Sequence, residues 1–208
     1  MYRIILFVLT FNVLTCNAQD PNRNNDSVVG GPCEGCEALL EYGNQSLGPV
    51  DTLPTFDLAE PQLLLHGTVY QADGESPAEG VIVYIYHTNR EGRYPSKPKA
   101  TGWATRHGYI RGWVKTDATG KYSFYTVRPG AYPRRNVPEH IHMTIKEEGL
   151  PPYYIDEIEF LDDEILTDRA KANRRNRAGT GLVMPTEESG ILVIERDIFL
   201  GRNIPNYP

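Results

Sequence analysis

Cysteine is scarce in this sequence, with 3 residues in 208, at positions 16, 33 and 36. A zinc site of two ligand pairs is excluded around Cys33 and Cys36, because the next Cys or His along the chain is His66. A thioredoxin-like redox motif would need a βαβ context, which is absent. The Cys33-x-x-Cys36 pair is therefore predicted to form a structural disulfide in an oxidising compartment.

Two further features are missing. Beyond the first 18 residues, no apolar run reaches the roughly 20 residues that a membrane-spanning helix needs. Clustered positive charge is also lacking, and a net charge of −6 argues against nucleic acid as a partner. The stretch 169–177 is locally basic, and we interpret it as a solvated loop or short helix rather than a binding patch.

Residues 1–18 have the pattern of an export signal, in which Arg3 precedes a mostly apolar run. Two processing outcomes remain open. Cys16 and Ala18 suit cleavage before Gln19, whereas the stretch 13–16 resembles a bacterial lipoprotein box that would attach lipid to Cys16. Either outcome predicts an exported protein, periplasmic or extracellular, with membrane attachment only through a lipidated Cys16.

The remaining chain divides into two predicted parts. Residues 19–62 form a linker and Cys-x-x-Cys lead-in, with one short helical turn after Cys33. From residue 63 onward, short apolar or alternating runs separated by turn residues replace any long helical period. They predict an all-β sandwich over residues 63–208, with strands at 63–71, 81–87, 113–116, 121–127, 140–146, 157–160 and 191–199.

The candidate site is centred on His140-Ile141-His142. On a strand this spacing places both imidazoles on one face. Tyr132, eight residues earlier, and Tyr94 are further potential metal ligands. A lone strand histidine or a lone tyrosine is more often a packing or exposed residue. The prediction of a metal site therefore rests on the grouping, and the spacing does not specify which metal.

The order of several motifs resembles the intradiol ring-cleavage dioxygenases, the family of the protocatechuate and catechol dioxygenases. The resemblance covers roughly residues 63–200. Its fold is an antiparallel β-sandwich with long loops and little helix, which agrees with the strand pattern. The motifs that carry it are Glu91-Gly92-Arg93-Tyr94, Arg111-Gly112, the stretch 116–124, Pro129-Gly130-Ala131-Tyr132-Pro133 and His140-Ile141-His142.

The resemblance implies a mononuclear Fe(III) site with Tyr94, Tyr132, His140 and His142 as ligands. It also implies a reaction in which O2 cleaves a catechol-type ring between its two hydroxyls, giving a muconate-type diacid. In that family the residue matching Tyr132 leaves the metal when the aromatic diol binds, and it can then accept a diol proton. Phenolate oxygens are hard anionic donors, which suits ferric iron.

One position departs from the family pattern. The family has an arginine three residues before the first histidine of the pair, where this chain has Val137. Arg134 and Arg135, on the same loop, are candidates to supply the missing cation, and we assign the catalytic role to Arg135. A solvated arginine beside Pro133 is the alternative for either residue.

Two other functional classes stay open. Several of the same turn motifs occur in transthyretin-like and carboxypeptidase-regulatory-like β-sandwiches, which are extracellular binding modules without catalysis. A zinc or copper enzyme using His140 and His142 is the third reading. Tyr94 together with the histidine pair favours the iron dioxygenase, because a binding module needs neither.

Overall fold

The structure, a computed structural model, describes residues 28–59 and 61–208. The predicted export signal, its lipid attachment alternative at Cys16 and the first part of the linker lie outside these residues. Within them, no helix is both long and apolar enough to span a bilayer.

Strands dominate the part of the chain that the structure describes. A 3-10 helix at Cys36–Tyr42 precedes them, and two one-turn helices, α1 (Ala104–His107) and α2 (Asp168–Ala172), interrupt them. The strands are β1 (Val50–Thr52), β2 (Gln62–Tyr70), β3 (Ile82–His87), β4 (Arg111–Lys115), β5 (Lys121–Val127), β6 (His140–Lys146), β7 (Tyr153–Tyr154), β8 (Ile158–Phe160), β9 (Leu182–Val183), β10 (Thr186–Glu188), β11 (Ile191–Glu195) and β12 (Ile198–Phe199).

Over residues 28–59 and 61–208 these strands form two six-stranded sheets. One has the order β1-β5-β2-β11-β10, with β12 also paired to β2; the other has the order β4-β3-β6-β8-β9, with β7 paired to β6. The pairs β2/β5, β3/β4 and β3/β6 are antiparallel. The pairs β1/β5, β2/β11, β2/β12 and β8/β9 are parallel. The predicted all-β class is confirmed, and the sheets are mixed because long connections return strands to distant neighbours.

The core lies between the two sheets. Along β2 every second side chain is buried, including Leu63, Leu65 and Val69. Val83 and Ile85 of β3 belong to the same cluster of buried side chains. This period of two is the signature of a strand with one buried face, and it explains why β2 is recognisable in the sequence.

Residues 28–59 pack onto the sandwich. β1 pairs with β5, and Ala38 and Leu39 of the 3-10 helix are buried against Tyr84. The indole nitrogen of Trp113 donates to the carbonyl of Leu39 at 2.9 Å. The sequence does not predict β1, because a strand of three residues is too short to show a period.

The basic stretch 169–177 does not form a free positive patch. Arg177 is 1% exposed and donates to the carbonyls of Gly30 and Tyr154. Arg174 forms an ion pair with Glu159 on β8. The predicted short helix is present as α2, and Arg174 and Arg177, which follow it, hold other segments together.

Candidate metal centre

The histidine pair lies on β6, between β3 and β8. His140 is 4% exposed and His142 is half-buried. The two side chains are on one face of the strand, and their Nε2 atoms are 3.2 Å apart. The alternation of β6 therefore directs two nitrogen donors to one point, as the spacing predicts.

Two loops bring the tyrosines to this point. Tyr94 follows β3 and Tyr132 follows β5, and the loops cross where Gly92 meets Ala131. At Gly92, φ is 70° and a Cβ atom would lie 1.9 Å from the Ala131 carbonyl oxygen, so a side chain cannot be accommodated. The Asn89 carbonyl accepts from the amides of both Gly92 and Gly130, which fixes the crossing.

The four predicted ligand atoms converge. Oη of Tyr94 lies 2.5 Å from Oη of Tyr132 and 2.8 Å from Nε2 of His142. Oη of Tyr132 lies 3.2 Å from Nε2 of His140 and 3.5 Å from Nε2 of His142. Two oxygens from loops and two nitrogens from a strand thus face one another at the distances expected around a single small cation.

The outer nitrogen of each imidazole has an acceptor. Nδ1 of His140 donates to the carbonyl of Pro138 at 2.7 Å, and Nδ1 of His142 donates to the carboxylate of Glu157 at 2.6 Å. With the proton on Nδ1, each ring presents an unprotonated Nε2 to the centre. This is the arrangement that protein metal sites use to fix the tautomer and orientation of histidine ligands.

The donor set fits a cation. Two imidazole lone pairs at 3.2 Å repel each other unless a proton or a metal ion lies between them. Burial raises the pKa of Tyr94 and of Tyr132, so the protein alone keeps both phenols protonated at neutral pH. Burial lowers the pKa of His140, which keeps its ring neutral and able to bind metal.

Glu157 is a site residue that sequence reasoning missed. Partial removal from water would by itself raise its pKa, but the hydrogen bond from His142 and the positive charge of Arg174 outweigh that effect and lower the pKa to about 2. Its ligand atom and those of the two histidines lie within 4.8 Å of one another. Because its oxygen bonds Nδ1 rather than facing the phenols, we assign it to orienting His142. No sequence pattern identifies Glu157, because only the pairing of β8 with β6 brings it next to His142.

Aromatic rings pack against one face of the His142 imidazole. Tyr86 of β3 lies parallel to His142, with ring centroids 4.4 Å apart, and parallel to His107 at 3.7 Å. Nδ1 of His107 is 2.9 Å from Oη of Tyr84. Burial lowers the pKa of His107 to about 4, so this ring is neutral at physiological pH.

Beside the four donor atoms lies a cavity of about 250 Å³, and its lining includes Tyr94, Tyr132 and His142. Arg134 and Arg135 are exposed and do not line it, whereas Arg106 does. Arg134 adopts φ 58°, and the amide of Arg135 donates to the Tyr132 carbonyl, so this segment is a turn. The catalytic role assigned to Arg135 stays a prediction.

Ion pairs fix the end of the loop between Tyr132 and His140. Glu139 accepts from Arg90 at 2.7 Å and from Nε of Arg128 at 2.5 Å. Arg128 also makes a bidentate pair with Asp162, at 2.7 and 2.8 Å. Bidentate guanidinium pairs fix geometry strongly, so the loop that follows Tyr132 is tied to both neighbouring segments.

Comparisons with known proteins identify the family of the chain. A family model described as Dioxygenase matches residues 51–189. The beta chain of protocatechuate 3,4-dioxygenase from Burkholderia cepacia is 28% identical over 177 residues, which cover 76% of this chain and 75% of that protein. Catechol 1,2-dioxygenase 1 from Acinetobacter lwoffii is 36% identical over 129 residues, which cover 61% of this chain but only 39% of that protein.

Solved structures share the fold. Hydroxyquinol 1,2-dioxygenase from Pseudomonas putida DLL-E4 superposes with a TM-score of 0.54 at 18% identity, covering 75% of this chain and 62% of that one. The dioxygenase domain of a carbohydrate-binding fusion protein from Streptomyces sp. SirexAA-E has a TM-score of 0.52 at 19% identity, covering 75% and 90% respectively. The chain belongs to the intradiol dioxygenase family, as its motifs indicate.

Proposed function

We propose that this protein is a non-haem Fe(III) dioxygenase that uses O2 to cleave a catechol-type ring between its two hydroxyls, giving a muconate-type diacid. The observation that carries the proposal is the convergence of Tyr94, Tyr132, His140 and His142 beside a cavity. Family membership supports the reaction class.

The four side chains would hold the iron. When bound, ferric iron would supply Lewis-acid activation of the diol toward O2 and ionise the coordinated phenols. Anionic oxygen donors favour the ferric ion, and the two neutral imidazoles limit the negative charge of the site. The four-residue set thus distinguishes this site from one that zinc or copper would occupy through His140 and His142 alone.

Tyr132 would receive a proton from the diol at its Oη. This oxygen lies at the cavity, and once ionised it would be a proton acceptor within reach of a diol bound there. Glu157 would hold His142 in its metal-binding orientation throughout, through the bond to Nδ1. The ring of Tyr86 covers one face of His142, and His107 stacks on the far face of Tyr86.

The alternative of a non-catalytic sandwich module is not favoured. The family model spans residues 51–189, which include both tyrosines and both histidines. A module that binds without catalysis would have no need for two half-buried phenols aimed at two unprotonated imidazole nitrogens.

Iron loading provides the test. Protein loaded with ferric iron should show a broad visible tyrosinate-to-iron band, consume O2 with catechol and form a ring-opened diacid. Tyr94→Phe and Tyr132→Phe should each weaken or shift the band and abolish turnover, because each removes one ligand. Tyr125→Phe, on β5 against Phe56, is the matched control and should behave like wild type. Colourless iron-loaded protein, or zinc-loaded protein with equal turnover, would reject the proposal.

A further inference from the structure

The disulfide loop is part of the candidate site. Cys33 and Cys36 are joined, as their spacing predicts, and Glu34 and Gly35 lie between them. Gly35 has φ 93°, and a Cβ atom there would lie 3.1 Å from Nε2 of His107. The loop backbone therefore rests directly on the ring that stacks against Tyr86.

Glu34 faces two cavities. It lines the 250 Å³ cavity beside the four donor atoms, and it also lines a neighbouring cavity of about 380 Å³. Both cavities include Tyr86 and His142 in their walls. The loop therefore forms part of the wall of the cavity beside the donor atoms and of its neighbour.

The charge of that wall comes from one pair. Among the residues that line the 250 Å³ cavity, Glu34 and Arg106 carry the formal charges. Oε1 of Glu34 lies 2.5 Å from Nη1 of Arg106, and the two side chains are 74% and 62% exposed. Glu34 cancels the positive charge that Arg106 would otherwise present to a bound ring.

We infer that Glu34 determines substrate specificity by charge, a conclusion that rests on the proposed ring-cleaving function. With Arg106 neutralised, the cavity gives no net attraction to a carboxylate on the ring, and the free Glu34 oxygen repels one. The substrate class is therefore an uncharged catechol rather than a dihydroxybenzoate. The disulfide keeps Glu34 at the cavity, because it closes a loop of only four residues.

The test compares two diols that differ by one charge. Specificity is measured as the ratio of kcat/KM for catechol to kcat/KM for 3,4-dihydroxybenzoate. Wild type should favour catechol, Glu34→Gln should lower the ratio about fivefold, and Arg106→Gln should raise it by a similar factor. Glu37→Gln, an exposed carboxylate on the adjoining 3-10 helix, should leave the ratio unchanged.

A binding measurement separates this inference from the proposed function. Calorimetric titration with phenol and 4-hydroxybenzoate requires no turnover, and Glu34→Gln should improve the relative affinity of the benzoate by about the same factor. If Glu34→Gln shows this affinity shift but the wild-type protein cleaves no ring, the proposed function is rejected and the charge role of Glu34 stands. The inference is overturned if the kcat/KM ratio and the affinity ratio of Glu34→Gln both lie within twofold of the wild-type values. A shift of either ratio in the opposite direction also overturns it.

Discussion

The carboxylate of Glu157 lies 2.6 Å from Nδ1 of His142, on the side of the ring away from the nitrogen that faces Tyr94. The pair joins β8 to the centre of the site, because β8 runs antiparallel to β6 with Glu159 opposite His140. A proposed metal ligand is thus oriented by a residue that sequence spacing does not connect to it.

Removing that carboxylate should weaken metal binding. Glu157→Ala leaves all four ligands in place but frees the His142 ring, so we expect ferric iron affinity to fall about 10- to 100-fold. The measurement is competition with a chelator, followed through the visible band. Glu188→Ala, an exposed carboxylate on β10, should match wild type. Unchanged affinity in Glu157→Ala would mean that packing against Tyr86 alone orients His142.

Arg135 should affect turnover without affecting the iron band. Its positive charge acts to lower the pKa of Tyr132, although burial raises that pKa more strongly. We expect Arg135→Ala to lower kcat about tenfold, less than a buried donor would, because the side chain is exposed and screened. Arg134→Ala, the neighbour in the same turn, is the control. Equal kcat in both variants would show that this loop does not replace the arginine absent at Val137.

Arg177 should be essential for stability. It is 1% exposed, donates to the carbonyls of Gly30 and Tyr154, and stacks on the Tyr154 ring. Arg177→Ala would leave those buried carbonyls without a donor, and we expect the free energy of unfolding to fall by about 3 kcal/mol. Urea denaturation measures the loss, and exposed Arg175→Ala should change it by less than about 0.5 kcal/mol. A small effect at Arg177 would show that the segment around Gly30 is held by other contacts.

Acid should destabilise the fold through His87. Burial lowers the pKa of this residue from 6.5 to about 4, and its ring nitrogens bond the Thr88 carbonyl and the Thr126 hydroxyl. Between these pH values the unfolded chain binds more protons, so the free energy of unfolding decreases as pH falls from about 6.5 toward about 4.

The steepest contribution of His87 would be about 1.4 kcal/mol per pH unit. His87→Gln should flatten the pH dependence of stability in that window, measured by urea denaturation at several pH values. His66→Gln, on half-buried β2, should retain the wild-type dependence. A wild-type slope in His87→Gln would assign the acid sensitivity to other groups.

The sequence predicted the centre of the site better than its surroundings. His140 and His142 are readable because a strand alternates, and β5 and β6 begin and end where the pattern places them. Tyr94 and Tyr132 required the family motifs, since loops have no period that reveals a shared point. Helix α1, with four residues, lies between the predicted strands 81–87 and 113–116 and is too short to show a helical period.

Contacts between distant segments could not be predicted from local pattern. Glu157 meets His142 through strand pairing, and Glu34 meets Arg106 across 72 residues. The parallel pairing of β1 with β5 depends on how a three-residue strand enters the sheet. Each of these contacts is a property of topology, whereas hydrophobic periodicity reports only which face of an element is buried.

The position of β2 in its sheet has a consequence for biosynthesis. This strand, Gln62–Tyr70, precedes by more than 100 residues two of the strands that pair with it, β11 and β12. One side of β2 therefore stays unpaired until residues 191–199 have left the ribosome. Unpaired strand edges promote aggregation, and distant pairings fold slowly. We expect a nascent chain of this protein to benefit from a holding chaperone until β11 and β12 have emerged.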